Sequence, residues 1–184
     1  MQMRQGMAIP IALFAIVSLV YSRKIINLSF IILSFIAFSL HQTALLVILV
    51  GYFSYLFLRR NYISLSTFRL FLIFILIIGG VISKFFLVDV LMNISDRVMA
   101  YSNSSYGESI DLFRLPNVKA ILILLFLIFF MNRKMNQNLV FQVFMCLLSI
   151  GVAFRIGFSD FAILSGRLST AFSHVEIFCY RLSF

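Results

Sequence analysis

Charged side chains are scarce in this chain of 184 residues: only 11% are Asp, Glu, Lys or Arg, whereas 62% are hydrophobic. A typical soluble domain is about 25% charged and about 45–50% apolar. The interior of a particle of this size could not hold all of these apolar side chains. The shortage of charge therefore excludes an ordinary soluble domain and indicates a protein embedded in a lipid bilayer.

The chain also lacks the short motifs that mark many enzymes. It contains no glycine-rich phosphate loop, no cysteine pair with zinc-ligand spacing and no nucleophile elbow. Its two cysteines, Cys146 and Cys179, fall inside apolar stretches, which indicates buried thiols rather than a disulfide or a metal pair. No A-x-A-like site ends the first apolar run, so no cleavable signal peptide is predicted. No residue pattern predicts a cofactor.

Long apolar runs, by contrast, are abundant, and seven of them predict helices. A helix that spans a bilayer needs about 20 mostly apolar residues. The predicted helices are Met7–Tyr21, Ile25–Leu40, Ala44–Leu58, Phe68–Val88, Val118–Met131, Leu139–Ile156 and Ala162–Tyr180. The predicted fold is therefore an all-α, multi-pass membrane bundle in which residues 1–184 form a single transmembrane domain.

The turn between the second and third helices is predicted at His41 from a length argument. A single helix over residues 25–58 would be about 50 Å long at about 1.5 Å per residue, well beyond the bilayer core of about 30 Å. A helical hairpin that turns at His41 fits the bilayer better. The turn His41-Gln42-Thr43 contains no glycine or proline.

Lysines and arginines predict the orientation of the bundle. Basic pairs occupy alternate turns, at Arg23-Lys24, Arg59-Arg60 and Arg133-Lys134. Because short cytoplasmic loops carry an excess of Lys and Arg, we place these turns in the cytoplasm. Seven cations then lie on the outer side: Arg4, Lys84, Arg97, Arg114, Lys119, Arg155 and Arg167. The net charge of +9 suits membrane surfaces or anionic lipid substrates, and no nucleic-acid partner is predicted.

The acidic residues distinguish the outer side from the inner side. Five of the six acids are predicted on the outer side: Asp89, Asp96, Glu108, Asp111 and Asp160. The segment Asp89–Asn117 is predicted as an extracytoplasmic loop that caps the bundle. It is rich in Ser, Asn and Tyr, which suit both sugar binding and an ordinary loop. No outer carboxylate cluster has the spacing of metal ligands, so no metal is predicted.

Arginines near the outer boundary are the first candidates for a site. Arg155 and Arg167 flank the outer turn between the last two helices, Arg97 and Arg114 bracket the loop, and Arg4 opens the first helix. A guanidinium group stays charged and can form bidentate hydrogen bonds to two phosphate oxygens. A converging set would suit a lipid-linked pyrophosphate at the outer leaflet. The alternative is that these side chains reach the lipid head groups or pair with nearby acids.

His41 is the second candidate, because its turn lies on the same predicted side as these arginines. An imidazole there could take a proton from an attacking hydroxyl. The alternative is a polar turn residue or a cap bonded to the backbone. His174, in the last predicted helix, is expected to pack or hydrogen-bond within the bundle.

Four motifs occur in a fixed order along the chain. In the first, an Arg-Gln pair opens a helix that continues with alanine (Arg4, Gln5 and Ala8). In the second, a histidine is followed by a hydroxyl residue and an apolar helix (His41, Thr43 and Ala44). The segment SDRVMAY contains Arg97 and Tyr101, and the segment SGRLSTAFSHVE contains Arg167. In this ordered set the chain resembles the EpsG-like and Wzy-type polysaccharide polymerases. Those proteins are longer and carry several helices before the Arg-Gln motif, so the resemblance predicts a partial member.

The resemblance implies a glycosyltransferase of the bacterial inner membrane. It would join undecaprenyl-pyrophosphate-linked oligosaccharide repeats into O-antigen of lipopolysaccharide, capsule or exopolysaccharide at the periplasmic face. The expected catalytic residues are His41, Arg97 and Arg167. The expected binding residues for lipid pyrophosphate and sugar are Arg4, Gln5, Tyr101, Arg114, Arg155 and Asp160. Expected partners are the lipid-linked glycan, membrane lipids, a chain-length regulator and a flippase.

Three other functions remain open at this point. A transporter or flippase for lipid-linked sugars would share a basic cavity without catalytic residues, although repeat symmetry is then expected and none is visible in the sequence. Assignment as a membrane O-acyltransferase would rest on a single histidine. A structural subunit of a larger complex could also produce a chain of this kind.

Overall fold

The computed structural model describes residues 2–60, 63–87 and 115–159, together with residues 166, 169–172, 174–176 and 179. Every regular element among these residues is helical. The helices are α1 (Gln2–Ser22), α2 (Leu28–Leu40), α3 (Thr43–Arg60), α4 (Leu65–Ile82), α5 (Leu115–Phe130), α6 (Arg133–Gln137) and α7 (Leu139–Gly157). A π-helical segment, Ser83–Leu87, continues α4.

Four helices among the described residues are long and apolar enough to cross a membrane: Arg4–Ser22, Thr43–Arg60, Leu65–Phe86 and Leu139–Gly157. Two shorter apolar helices, α2 and α5, accompany them. The first six predicted helices are each found, and the predicted helical membrane bundle is confirmed. Most of the seventh predicted helix lies outside the described residues.

The predicted outer loop, residues 89–117, also lies outside the described residues except for its last three positions. These three residues begin α5. Pro116 therefore stands in the first turn of that helix, where its missing N–H would have no helical partner in any case.

Exposed apolar side chains on α4 indicate contact with lipid. Leu70, Phe74, Ile77 and Val81 are all exposed, and their spacing places them along one stripe of the helix. An exposed apolar stripe of this kind would be unfavourable in water. It suits the hydrocarbon of a bilayer, where apolar side chains face lipid tails.

The chain divides into two compact units. The first contains residues 1–68, 131–148 and 171–184, and the second contains residues 69–130 and 149–170. In the second unit, helix packing is close around Gly157: a Cβ added there would clash with Ser83 Cβ and lie 2.8 Å from the carbonyl oxygen of Gly80. A side chain at position 157 would therefore force the two segments apart.

In the first unit, α1 packs against both α2 and α3. Asn27 fixes the connection between α1 and α2: its Oδ1 accepts the N–H of Phe30 at 2.6 Å, and its Nδ2 donates to the carbonyl of Ser18 at 2.9 Å. The first bond caps α2 and the second ties that cap to α1. The two helices consequently run antiparallel, so the start of α1 and the end of α2 lie at the same end of this unit.

The hairpin between α2 and α3 turns at His41, as predicted. Helix α2 ends at Leu40 and α3 begins at Thr43. The His41 N–H donates to the carbonyl of Ala37 at 3.1 Å, and the His41 carbonyl accepts the N–H of Ala44 at 3.0 Å. One extended residue therefore closes one helix and opens the next, which explains a tight turn without glycine or proline.

Candidate functional site

Arg4 and His41 line the same cavity at one end of the first unit. This cavity, called the His41 cavity below, has a volume of about 510 Å³. Its lining residues are Arg4, Phe38, Ser39, Leu40, His41 and Gln42. Arg4 comes from the first turns of α1, and the others come from the end of α2 and the turn that follows. The antiparallel packing of α1 and α2 brings the two groups together.

The His41 ring is held by the first residue of α3. Its Nδ1 accepts the backbone N–H of Thr43 at 3.2 Å and lies 2.7 Å from the Thr43 hydroxyl. This bond occupies one of the N–H groups that a helix leaves without a partner at its first turn. The imidazole therefore acts as a cap of α3, and its orientation is fixed by the same contact.

The hydrogen bonds also determine which nitrogen of the neutral His41 ring carries the proton. A ring nitrogen that accepts a backbone N–H carries no proton itself, so the Thr43 hydroxyl also donates to Nδ1. The proton of a neutral imidazole must then be on Nε2. Among the residues that the structure describes, Nε2 has no hydrogen-bond partner. The ring can therefore donate a hydrogen bond from Nε2 to a group bound in the cavity.

The electrostatics of the His41 cavity favour an anion. Residues 1–88 contain no Asp or Glu, so no side chain from α1, α2 or α3 brings a negative charge to it. Arg4 is exposed and supplies a permanent positive charge. Ser39 and Gln42 add polar groups to the wall. A guanidinium, an imidazole N–H and neutral polar groups together make a suitable environment for phosphate oxygens.

The other predicted site residues fall into two groups. Gln5 is half-buried on α1, next to Arg4. Arg155 belongs to the second unit, where its Nε donates to Asn117 Oδ1 at 2.7 Å. The remaining predicted site residues lie outside the described residues: Arg97, Tyr101, Arg114, Asp160 and Arg167.

Two residues that were not predicted as site residues have clear structural roles. Thr43 is part of the His motif, but its bond to Nδ1 depends on side-chain conformations that the sequence does not reveal. Asn117 was predicted as the last residue of the loop, whereas it is 3% exposed in the first turns of α5 and accepts a hydrogen bond from Arg155. Pro116 signals a helix start at this position, but the sequence carries no signal for the burial of Asn117.

The described helices define a helical membrane protein, and Arg4 and His41 line a cavity at one end of its first unit. The whole chain, residues 1–184, matches the EpsG family, and the chain belongs to that family. The family predicted from the motifs is thus confirmed.

The chain is also similar to the amylovoran biosynthesis protein AmsC of Erwinia amylovora, with 31% identity over 180 residues. The similarity covers 95% of this chain and 46% of the relative, so the chain spans about half the length of the curated relative that it matches. No solved structure is significantly similar to the chain.

Proposed function

We propose that this chain takes part in polysaccharide biosynthesis, as a polymerase that joins lipid-pyrophosphate-linked oligosaccharide repeats. The proposed site of reaction is the periplasmic face of the bacterial inner membrane, and the products are O-antigen, capsule or exopolysaccharide. One observation carries this proposal: the Arg-Gln motif and the His motif, which are far apart in sequence, place Arg4 and His41 in one cavity. Membership of the EpsG family and similarity to an amylovoran biosynthesis protein support it.

In the proposed reaction, a hydroxyl of the acceptor sugar attacks the anomeric carbon of the donor repeat. The bond from that carbon to the lipid pyrophosphate breaks as the new glycosidic bond forms, and negative charge develops on the pyrophosphate. The departing pyrophosphate takes up the proton that the attacking hydroxyl loses. The Arg4 guanidinium and the His41 Nε2–H would both bind the departing phosphate oxygens. Donors that are already aimed at a developing charge lower the barrier, because they need no rearrangement during the reaction.

The hydrogen bonds of His41 bear on the direction of proton transfer. The resting ring offers a proton from Nε2 to the cavity. Acceptance of the hydroxyl proton at Nε2, as predicted from the sequence, requires the ring to move its proton to Nδ1 and to release the Thr43 N–H. We therefore assign His41 the donor role in the resting state.

The remaining site residues enter the proposal with the roles expected from the family. Arg97 and Arg167 are proposed to complete the catalytic set. Proposed contacts to the pyrophosphate and the sugars come from Gln5, Tyr101, Arg114, Arg155 and Asp160.

The test is complementation of a polymerase-null strain with the gene in its full-length context. Arg4→Ala and His41→Ala should leave single-repeat glycolipid at the outer face and reduce long-chain product by at least about tenfold, because each removes a donor to a charged oxygen. Arg133→Ala is a matched control, since Arg133 is an exposed arginine on α6 that lines no part of the His41 cavity.

Normal chain-length ladders from both alanine variants would refute the polymerase proposal. Single-repeat glycolipid trapped on the cytoplasmic leaflet would instead favour the flippase. Separate quantitation of the two leaflets therefore belongs in the same experiment.

A further inference from the structure

A second basic cavity lies at the other end of the first unit. Helix α1 carries Arg4 near its start and is followed by Arg23. Nineteen residue steps at about 1.5 Å each give a separation of about 28 Å, close to the thickness of a bilayer core. The cavity next to Arg23, called the Tyr55 cavity below, has a volume of about 640 Å³. Its polar lining consists of Tyr21, Arg23, Tyr55, Arg59, Gln137 and Asn138.

Tyr55 organises one wall of this cavity. Its side chain is fully buried, and its hydroxyl donates to the carbonyl of Lys24 at 2.9 Å. This bond ties α3 to the turn that carries Arg23. The guanidinium carbon of Arg59 lies 5.9 Å from the centre of the Tyr55 ring, within the range of a cation–π contact. One buried ring therefore positions both arginines.

The opposite wall is held by a network of buried amides. Asn136 Nδ2 donates to the carbonyl of Ile63 at 3.0 Å, and Gln142 Nε2 donates to the carbonyl of Asn136 at 2.8 Å. Asn138 Oδ1 accepts the N–H of Val140 at 3.0 Å and so caps α7. These bonds fix the short turn between α6 and α7, which contributes Gln137 and Asn138 to the lining.

The charged residues that α3 and the turn after α1 bring to this end are all basic. Arg23, Lys24, Arg59 and Arg60 all lie in segments that contain no acid, because the first acidic residue of the chain is Asp89. Arg59 also lines a smaller adjoining cavity together with Arg60. A cavity with two guanidinium groups, two tyrosines and two amides, and with no carboxylate among its described lining residues, favours a negatively charged ligand.

Apolar lining residues identify the source of that negative charge. Val20, Leu139 and Val140 also border the Tyr55 cavity. A free phosphate ion would leave this apolar surface uncovered, whereas a phospholipid would cover it with its glycerol and upper acyl carbons. Tyrosines are typical of the level at which head groups lie. We propose that the Tyr55 cavity binds the phosphate head group of an anionic phospholipid, in the leaflet opposite to the His41 cavity.

The absence of tryptophan from the chain allows a direct test with one fluorescent reporter. Tyr21→Trp places an indole at the rim of the Tyr55 cavity. The full chain is prepared in mixed micelles with increasing amounts of brominated phosphatidylglycerol or brominated phosphatidylcholine, and quenching is measured. We expect half-maximal quenching by the anionic lipid at a mole fraction about 25-fold lower than by the zwitterionic lipid, because each of the two arginines contributes about fivefold near a membrane surface.

Adjacent arginines provide the matched control. Arg59→Gln and Arg60→Gln remove the same charge from neighbouring positions, but only Arg59 lines the Tyr55 cavity. The lipid preference should fall about fivefold in Arg59→Gln and stay within about twofold in Arg60→Gln. Equal losses in both variants would overturn the proposal in favour of a diffuse surface charge, and equal quenching by the two lipids would overturn it outright.

A third arm identifies the source of the phosphate. Relief of quenching by inorganic phosphate, but not by chloride at the same ionic strength, would reject the lipid and assign the cavity to soluble phosphate. This experiment measures lipid binding alone, so its result is independent of the polymerase proposal.

Discussion

The two ends of the first unit contain cationic cavities that differ in how their side chains are held. At the His41 cavity, the imidazole is fixed by the backbone of a helix start, and a single arginine stands beside it. At the Tyr55 cavity, Arg59 lies over a buried ring, Arg23 also lines the cavity, and Arg60 lies next to Arg59. A single aimed N–H donor suits a group whose charge develops at a defined position. Several long cationic side chains suit a lipid head group that is bound but does not react.

The comparison predicts its largest effect at His41, where two amide substitutions separate the donor role from the base role. In His41→Gln the side-chain amide can reach the position of Nε2 and donate, whereas in His41→Asn it is placed like Nδ1 and can only cap Thr43. We expect His41→Gln to retain at least about tenfold more long-chain polysaccharide than His41→Asn in the complemented strain, since an aimed donor contributes on this scale. Equal inactivity of Gln, Asn and Ala would indicate proton transfer by the ring.

A smaller effect is expected from Tyr55→Phe at the other end. This change removes the hydroxyl bond to the Lys24 carbonyl and keeps the buried ring under Arg59. The loss of one such bond costs about 1 kcal/mol, so the thermal unfolding midpoint in detergent should fall by a few degrees. The preference for phosphatidylglycerol should fall with it, and polymer synthesis should stay near the wild-type level. A collapse of polymer synthesis without loss of the folded chain would show that the two ends are not independent.

Thr43→Ala should have a comparable but local effect on the His41 cavity. It removes the hydroxyl bond to Nδ1 and leaves the backbone N–H in place. A contribution of about 1 kcal/mol corresponds to a loss of about fivefold in polymer synthesis. Thr43→Ser restores the hydroxyl and should restore synthesis, whereas a purely steric role of the threonine methyl group would leave Ser as impaired as Ala.

The smallest effect on stability is expected at Arg23, whose backbone has a positive φ of 52°. Glycine adopts this conformation without the strain that other residues incur. Arg23→Gly should therefore leave the unfolding midpoint unchanged or raise it slightly, while the lipid preference of the Tyr55 cavity falls. Retention of that preference would show that the Arg23 side chain does not contact the head group.

Much of the bundle could be predicted from sequence, because the length of an apolar run and the thickness of a bilayer constrain each other. The hairpin at His41 followed from that argument alone. Helix boundaries were predicted less well: α1 begins at Gln2 rather than at Met7, since Arg4 and Gln5 are polar and yet helical. An apolar run marks where a helix is buried in lipid, and a helix often continues beyond it.

The placement of Arg4 and His41 at one end also followed from the alternation of the crossings. The bond from Thr43 to Nδ1 and the bond from Tyr55 to Lys24 could not be predicted, because they depend on rotamers and on packing between segments that are distant in sequence. The sequence therefore indicated that Arg4 and His41 lie at the same end, and the structure added which nitrogen of the ring can donate.

The most direct test of the account is the protonation of His41 in the presence of an anion. The chain contains only two histidines, so His174→Gln leaves His41 as a single imidazole for selective ¹⁵N labelling. NMR spectra of the labelled chain are recorded with and without a short-chain prenyl pyrophosphate. We predict that the neutral ring carries its proton on Nε2 and none on Nδ1, with a shift of the Nε2–H signal on addition of the pyrophosphate that is lost in Arg4→Ala. A proton on Nδ1, or a ring signal that does not respond to the pyrophosphate, would contradict the account.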